Sequence, residues 1–366
     1  MMSSGIYDRL VCPVHRLPVQ RRGDALTCTS GDTYAIVEEV PVMLIEGAEQ
    51  TIDAAEKTLE AARSMPPHPA RAFDGAPYFV DTLGCSEEEM EAIRHELATG
   101  GTQVDPVVRY MVGATSGLLY RNAIGNLSHY PIPELRLPSA AGSTLLDIGC
   151  NWGRWSVAAA RKGYRAVGID PSLGAVLAAR RVCRQLGASA EFVVGDARYL
   201  PFAASSFDLV FSYSVLQHFS KEDVRQTLSE IGRVLRAHGA SLVQMPNAFG
   251  IRSLQQQLRR RFRDGTGFEV RYWSIPELKR AFTQAIGESV IRVDGYFGLG
   301  IQASDSDLFP PMYRRIVSAS EVLRRLSERA RWMCYFADSV YVHSTATRSE
   351  LASNQAAREA RRCGSA

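Results

Sequence analysis

No apolar run in this chain approaches the roughly 18 residues that a membrane-spanning helix needs, although 46% of its 366 residues are hydrophobic. No transmembrane segment is therefore expected, and the apolar residues are available for a sizeable core. The start, Met1 to Leu10, lacks the basic and apolar regions of a secretory leader. Cysteine forms no framework: seven scattered residues, an odd number, fit free thiols in a reducing cytosol. A cytoplasmic location is the expectation. Excess charge of one sign is missing too. The 42 basic and 39 acidic side chains leave +3, too little to argue for nucleic acid as a partner.

What is present centres on Thr144-Leu-Leu-Asp-Ile-Gly-Cys-Asn-Trp-Gly-Arg-Trp155. Leu145, Leu146 and Ile148 make an apolar run too short for a helix, bounded by Gly142-Ser143 and Gly149, which reads as a buried parallel strand. Gly149 and Gly153 let the backbone approach a ligand without a Cβ in the way. A helix from Arg154 to Lys162 then points its first N–H groups at whatever fills the turn, and Gly163 closes it.

Tyr164 to Asp170 reads as a second strand, ending in an acid 23 residues after Asp147, close to the offset at which dinucleotide folds place a ribose-binding carboxylate. A helix from Leu173 to Leu186 leads to a third strand, Ala190 to Asp196, and a fourth, Phe207 to Ser214, runs into Val215-Leu-Gln-His218. Strand ends carrying Asp or Gly at one sheet edge define a ligand crevice. The G-x-G-x-x-G of dehydrogenases is absent, because no glycine separates Gly149 from Gly153.

Between residues 143 and 247 these motifs resemble the class I S-adenosylmethionine-dependent methyltransferases, particularly the type 11 group. The resemblance rests on Asp147-Ile-Gly-Cys-Asn-Trp-Gly153, Gly168-Ile-Asp170-Pro, Gly195-Asp196-Ala and Leu200-Pro-Phe through Phe207-Asp208-Leu-Val. It implies an α/β fold with a Rossmann-like seven-stranded sheet, mostly parallel with the last strand antiparallel, and S-adenosyl-L-methionine as cofactor. It places Asp147 and Gly149 against the methionine moiety, Gly153 in the turn, Asp170 on the ribose hydroxyls, Asp196 on the adenine amine and Ala197 at the ring. Asn151 stands where the family usually has glycine. Asn tolerates a left-handed backbone, and its side chain either serves the turn alone or contacts the amino-acid end of the cofactor.

A sulfonium methyl is already activated, so transfer needs chiefly positioning and exclusion of water. A base is required only where the acceptor must lose a proton. His218 is the candidate, against the simpler role of a cofactor-wall residue; Tyr213, Gln217 and His129 are further pocket candidates. Trp152 and Trp155 are read as packing of the first helix ahead of cation–π shielding, and Asp208 as a strand-start residue.

Residues 7–46 form a small β-rich module punctuated by Gly and Pro, similar to the zinc-ribbon-like domain found beside several methyltransferases. Cys12, His15 and Cys28 stand at metal-like positions, but structural zinc wants four ligands. Ser30 and Gly31 occupy the place of the fourth, and Asp32 would be an unusual oxygen donor. The expectation is a degenerate ribbon without zinc.

Residues 47–142 read as a linker and helical cap. Glu46 to Arg63 is polar and Ala-rich, Met65-Pro-Pro-His-Pro69 breaks it, and Glu87 to Leu97 and Asp105 to Leu119 are helices. Tyr110, Tyr120, Arg121, Asn122 and His129-Tyr130 are pocket candidates there.

The methyltransferase domain spans 143–345. It carries insertions at 248–273, where arginines gather on a helix from Gln255 to Phe262, and at 298–335, where a helix from 311 to 332 reads as a lid or homodimer element. The arginine-rich segment is either a solvated face or a surface for phosphates, an acidic partner or a membrane. The tail, 346–366, reads as disordered.

The resulting expectation is a methyltransferase for a small or medium-sized acceptor, with oxygen slightly preferred. An RNA base methyltransferase and a catalytically silent cofactor-binding partner are the alternatives.

Overall fold

The computed structural model describes residues 5–64, 78–100, 103–115, 118–121 and 127–347. Met65 to Pro69, Asn122 and the tail from 348 lie outside the described residues.

The N-terminal module is an antiparallel meander of β1 (Val19–Arg22), β2 (Ala25–Cys28), β3 (Thr33–Val37) and β4 (Val40–Pro41). Gly23, left-handed at φ 62°, allows the two-residue turn between β1 and β2. The module is fused to the larger unit rather than tethered to it. Its Leu10, Leu26 and Met43 share one buried cluster with Val193 and Phe202. Val42 pairs in parallel with Val194, so the chain leaving the meander covers an otherwise open sheet edge.

The stretch read as linker holds a helix, α1 (Asp53–Ser64), followed by α2 (Glu87–Thr99), α3 (Pro106–Thr115) and α4 (Leu118–Arg121). The large sheet contains β5 (Thr144–Ile148), β6 (Arg165–Asp170), β7 (Ala190–Val194), β8 (Phe207–Ser212), β9 (Leu235–Pro246), β10 (Gly287–Gly295) and β11 (Ser339–Ala346). Their order is β10-β11-β9-β8-β5-β6-β7. β11 is antiparallel to both neighbours while β5 to β9 pair in parallel. This is the Rossmann-like seven-stranded sheet, mostly parallel with the last strand antiparallel, that the resemblance implies.

All five residues of β5 are buried, because helices cover both faces: α5 (Arg154–Arg161), α6 (Leu173–Gln185), α7 (Lys221–Val234) and α9 (Ile275–Ala285). α8 (Ile251–Arg259) and α10 (Pro311–Arg329) lie in the two insertions. The chain runs outward from β5 to β6 and β7, then returns to β8 on the other side of β5. That reversal opens a crevice at the carboxyl ends of β5 and β8.

The helical cap is held at this same edge. The first N–H groups of α6 have no partner inside the helix. Thr58 of α1 accepts from Leu173 N at 3.1 Å, and Thr82 Oγ1 accepts from Gly174 N at 2.8 Å. Ser172 caps the helix by accepting from Ala175 N and donates its own hydroxyl to the Thr82 carbonyl. Among the described residues no helix is long and apolar enough to cross a membrane.

Candidate functional site

β5 stops at Ile148 because the next residues take left-handed backbone: Gly149 (φ 71°), Asn151 (φ 50°) and Gly153 (φ 83°). At Gly149 the requirement is also steric, since a Cβ there would fall inside the Val215 side chain. Asn151, the family departure, holds its left-handed position through its own side chain, whose Oδ1 accepts from Trp152 N at 2.7 Å. Its backbone N–H donates to Asp170 Oδ2 at 2.9 Å. The turn and the second acid are thus locked together.

Asp147 and Asp170 are 1% and 8% exposed. Burial pushes the Asp147 pKa up to about 7, with the neighbouring Asp170 charge adding to the rise and the bond from Ser156 Oγ, at 2.7 Å, opposing it. Burial likewise raises Asp170 to about 6, against the bonds from Ser172 N and Asn151 N. Two buried acids that resist ionisation thus stand beside a turn that tolerates no side chain at Gly149, at the carboxyl ends of β5 and β6.

Asp196 lies one strand further and is engaged differently. Arg198 places its backbone N at 2.8 Å and its Nη2 at 2.7 Å from the carboxylate, and the same guanidinium reaches the Glu49 carbonyl and Asp223. Ala197 is buried beside it. Arg198 was not singled out from sequence; its place two residues after the strand-end acid was the available signal.

His218 stacks on Phe268 with centroids 3.8 Å apart and an interplanar angle of 6°. Its Nδ1 lies 2.7 Å from the Phe268 carbonyl and so carries the hydrogen; Nε2 is left to accept from the Gln217 amide at 3.1 Å. Burial, with Arg271 nearby, lowers its pKa to about 4. The ring is neutral at physiological pH.

The structure brings together a second group that sequence reasoning largely missed. Arg154, the first residue of α5, is buried with Nη2 2.7 Å from Asp305 Oδ2, and Tyr120 donates to the same oxygen at 2.6 Å. The guanidinium also stands 5.9 Å from the rings of Tyr120, Trp152 and Trp155. Beside it Tyr213 donates to Asp294 and accepts from Gln302, while Arg136 and Ser339 complete the Asp294 shell. Cap, insertion and sheet therefore meet in one hydrogen-bonded layer next to the turn. Tyr120 and Tyr213 were foreseen as pocket candidates; Asp294 and Asp305 lie in segments without a motif. His129 and Arg121 are exposed. Asp208 bonds Thr144 N at 2.8 Å and Arg236 at 2.6 Å, at the start of its strand.

Residues 145–239 match the model of the methyltransferase domain family. A ubiquinone biosynthesis O-methyltransferase of Azorhizobium caulinodans is 32% identical over 119 residues, which are 32% of this chain and 46% of that protein. These residues form a class I S-adenosylmethionine-dependent methyltransferase domain. The biotin biosynthesis bifunctional protein BioHC of Cellvibrio japonicus is 36% identical over 108 residues, 29% of this chain and 20% of that protein. A chain from the complex of the Haloferax volcanii Trm112 methyltransferase activator with a methyltransferase is 23% identical, with TM-score 0.41, covering 59% of this chain and 86% of that one. This chain covers less than half the length of the two curated relatives. The turn, the two buried acids and the crevice fit the domain's cofactor.

In the N-terminal module, Cys12, His15, Cys28 and Asp32 place one ligand atom each within 4.8 Å of one another. His15 Nδ1 is 2.7 Å from Asp32 Oδ2, and Cys12 Sγ is 3.6 Å from His15 Nδ1 and 3.2 Å from Asp32 Oδ2. Folding thus supplies the fourth donor for which the sequence offered only an unusual oxygen. Two thiols, an imidazole and a carboxylate form a donor set that tetrahedral zinc accepts.

Proposed function

We propose that the chain transfers the methyl group of S-adenosylmethionine to a small or medium-sized acceptor, with oxygen preferred as the atom methylated. The observation that carries this reading is the buried pair Asp147 and Asp170 locked around the left-handed Gly149-Asn151-Gly153 turn. In this reading Asp170 accepts from the ribose hydroxyls, Asp147 and the turn hold the methionine end, and Asp196 with Ala197 borders the adenine. When bound, the cofactor supplies an activated methyl group; the chain's own task is to orient the acceptor and exclude water.

His218 then acts as a neutral wall of the acceptor side, with Nε2 already accepting from Gln217. A ring with pKa about 4 is too weak a base to deprotonate an alcohol efficiently, so the favoured acceptor is one that loses its proton readily. Phenol-like oxygen fits, and three of the relatives are named as O-methyltransferases of ubiquinone biosynthesis. A cytoplasmic setting belongs to the same reading.

Calorimetry with S-adenosylmethionine tests it. Asp170→Ala is expected to lose roughly 10- to 100-fold in affinity, the value of a hydrogen-bonding carboxylate, and unchanged affinity would move the site elsewhere. Labelled methyl groups should then enter a small-molecule fraction of cell extract; retained binding without transfer to any fraction would make the chain a silent cofactor-binding partner.

A further inference from the structure

Fourteen large apolar side chains are exposed among the described residues, and eleven of them lie in only two segments. Phe249, Ile251, Leu258, Phe262 and Phe268 belong to 248–273; Met312, Val322, Leu326, Trp332, Tyr335 and Phe336 belong to 311–336. Surface apolar residues are ordinary when scattered singly; concentration of this kind is not.

The same segments concentrate positive charge. Each carries six arginines against two acids, a net +4. Since the whole chain is +3, everything outside them is −5. Three of the four acids are already engaged: Glu269 with Arg260 and Arg263, Glu321 and Glu328 with Arg324. Arg259, Arg261, Arg315, Arg325 and Arg329 are exposed and form no ion pair among the described residues.

The two segments adjoin. Asn247, where the first begins, donates to the carbonyls of Tyr335 and Ala337 at 2.8 and 2.9 Å, and Asp338 accepts from Arg252 N at 2.7 Å at the start of α8. α8 ends in two successive left-handed non-glycine residues, Arg261 (φ 53°) and Phe262 (φ 56°). That backbone is costly, and it leaves Phe262 61% exposed. The face also borders the acceptor side of the crevice, because Phe268 is the ring stacked on His218.

We propose that this face docks on an anionic lipid bilayer, with the aromatic and aliphatic side chains entering the headgroup boundary and the arginines meeting lipid phosphates. Aromatic anchors flanked by unpaired arginines are the chemistry of interfacial binding. A second copy of the chain fits poorly, since pairing two such faces would oppose like charges. The inference stands apart from the methyl-transfer reading: docking needs no cofactor.

The test is co-sedimentation of the full-length protein with phosphatidylcholine vesicles with and without phosphatidylglycerol. Binding is expected only to the anionic vesicles, weakening with salt, and Trp332 fluorescence should shift to the blue on binding. Arg259→Gln with Arg261→Gln is expected to weaken partitioning about 30-fold, from roughly five-fold per arginine at a charged surface. Trp332→Ser with Phe336→Ser should weaken it at unchanged charge. All four positions are exposed, and an unchanged circular dichroism spectrum and urea midpoint confirm that the variants fold. Failure of the unmodified protein to bind anionic vesicles overturns the proposal. So does binding indifferent to Trp332 and Phe336, which would indicate an acidic macromolecular partner, or a stable dimer that buries Trp332 without lipid.

Discussion

Asp147→Asn is expected to stabilise the cofactor-free protein above neutral pH. The carboxyl ionises near 3.8 in an unfolded chain, whereas the folded protein holds its proton until about pH 7 because the group is buried. Across that window the folded state binds more protons than the unfolded one. This group's contribution to stability therefore falls as pH rises from 3.8 to about 7 and is flat above. A displacement of that size corresponds to as much as about 4 kcal/mol. Asparagine retains an oxygen to accept the 2.7 Å bond from Ser156 Oγ, but it adds a buried amide N–H whose missing partner costs about 1–3 kcal/mol. The balance is a gain of about 1–3 kcal/mol near pH 8 and a small loss near pH 5. Urea unfolding at both pH values, with the slope checked for constancy, measures it. The reasoning fails if wild-type stability does not decline between those pH values, or if the variant is weaker at both. Cofactor affinity gives an independent readout: it should fall in wild type as pH drops through 7 and 6, where Asp147 and Asp170 take up protons, and lose much of that dependence in the variant.

Gly149→Ala is expected to cost about 3 kcal/mol, from left-handed strain plus displacement of Val215, whereas Gly187→Ala, also left-handed but with open space around it, should cost only about 1 kcal/mol; equal midpoints in denaturant would refute the steric account. Arg154→Met strands the 1%-exposed Asp305 carboxylate and should lose about 3–5 kcal/mol. Adding Asp305→Leu should restore part of that loss, and full additivity of the two changes would argue against a direct pair. Metal analysis of purified protein is expected to find about one zinc per chain, lost in Cys12→Ser and in Asp32→Asn; metal-free protein with an intact fold would return the module to the degenerate ribbon.

Periodicity and strand-end acids made β5, α5, β6, α6, β7 and β8 legible in sequence, because each is decided by local pattern and by turn chemistry. The fifth strand was placed from Ala240, yet it begins at Leu235, since pairing beside β8 extends it past a register shift that no local signal marks. The helix over Asp53–Ser64 was hidden in a polar, Ala-rich stretch because its stability comes from docking on the start of α6, where Thr58 meets Leu173 N. His218 read as a base from its residue type. Burial, with Arg271 nearby, is what lowers its proton affinity, against the Phe268 carbonyl at Nδ1, which raises it.

By itself the sequence determined the turn and its two acids: Asp147, Gly149, Gly153 and Asp170 lie on contiguous strand-turn-helix units, so spacing alone dictates their convergence. Tertiary structure decided everything that depends on residues far apart in the chain meeting. Asp32 reaches Cys12 and His15 because β1 pairs with β2, which sets the Cys28-to-Asp32 turn beside the Cys12-to-Leu17 turn, and Asp305 reaches Arg154 across 151 residues because an insertion folds over the first helix. The exposed aromatic and arginine face likewise emerges only where two insertions meet at Asn247. Local propensity fixes which element a residue joins; burial and charge partners across elements fix what that residue can do.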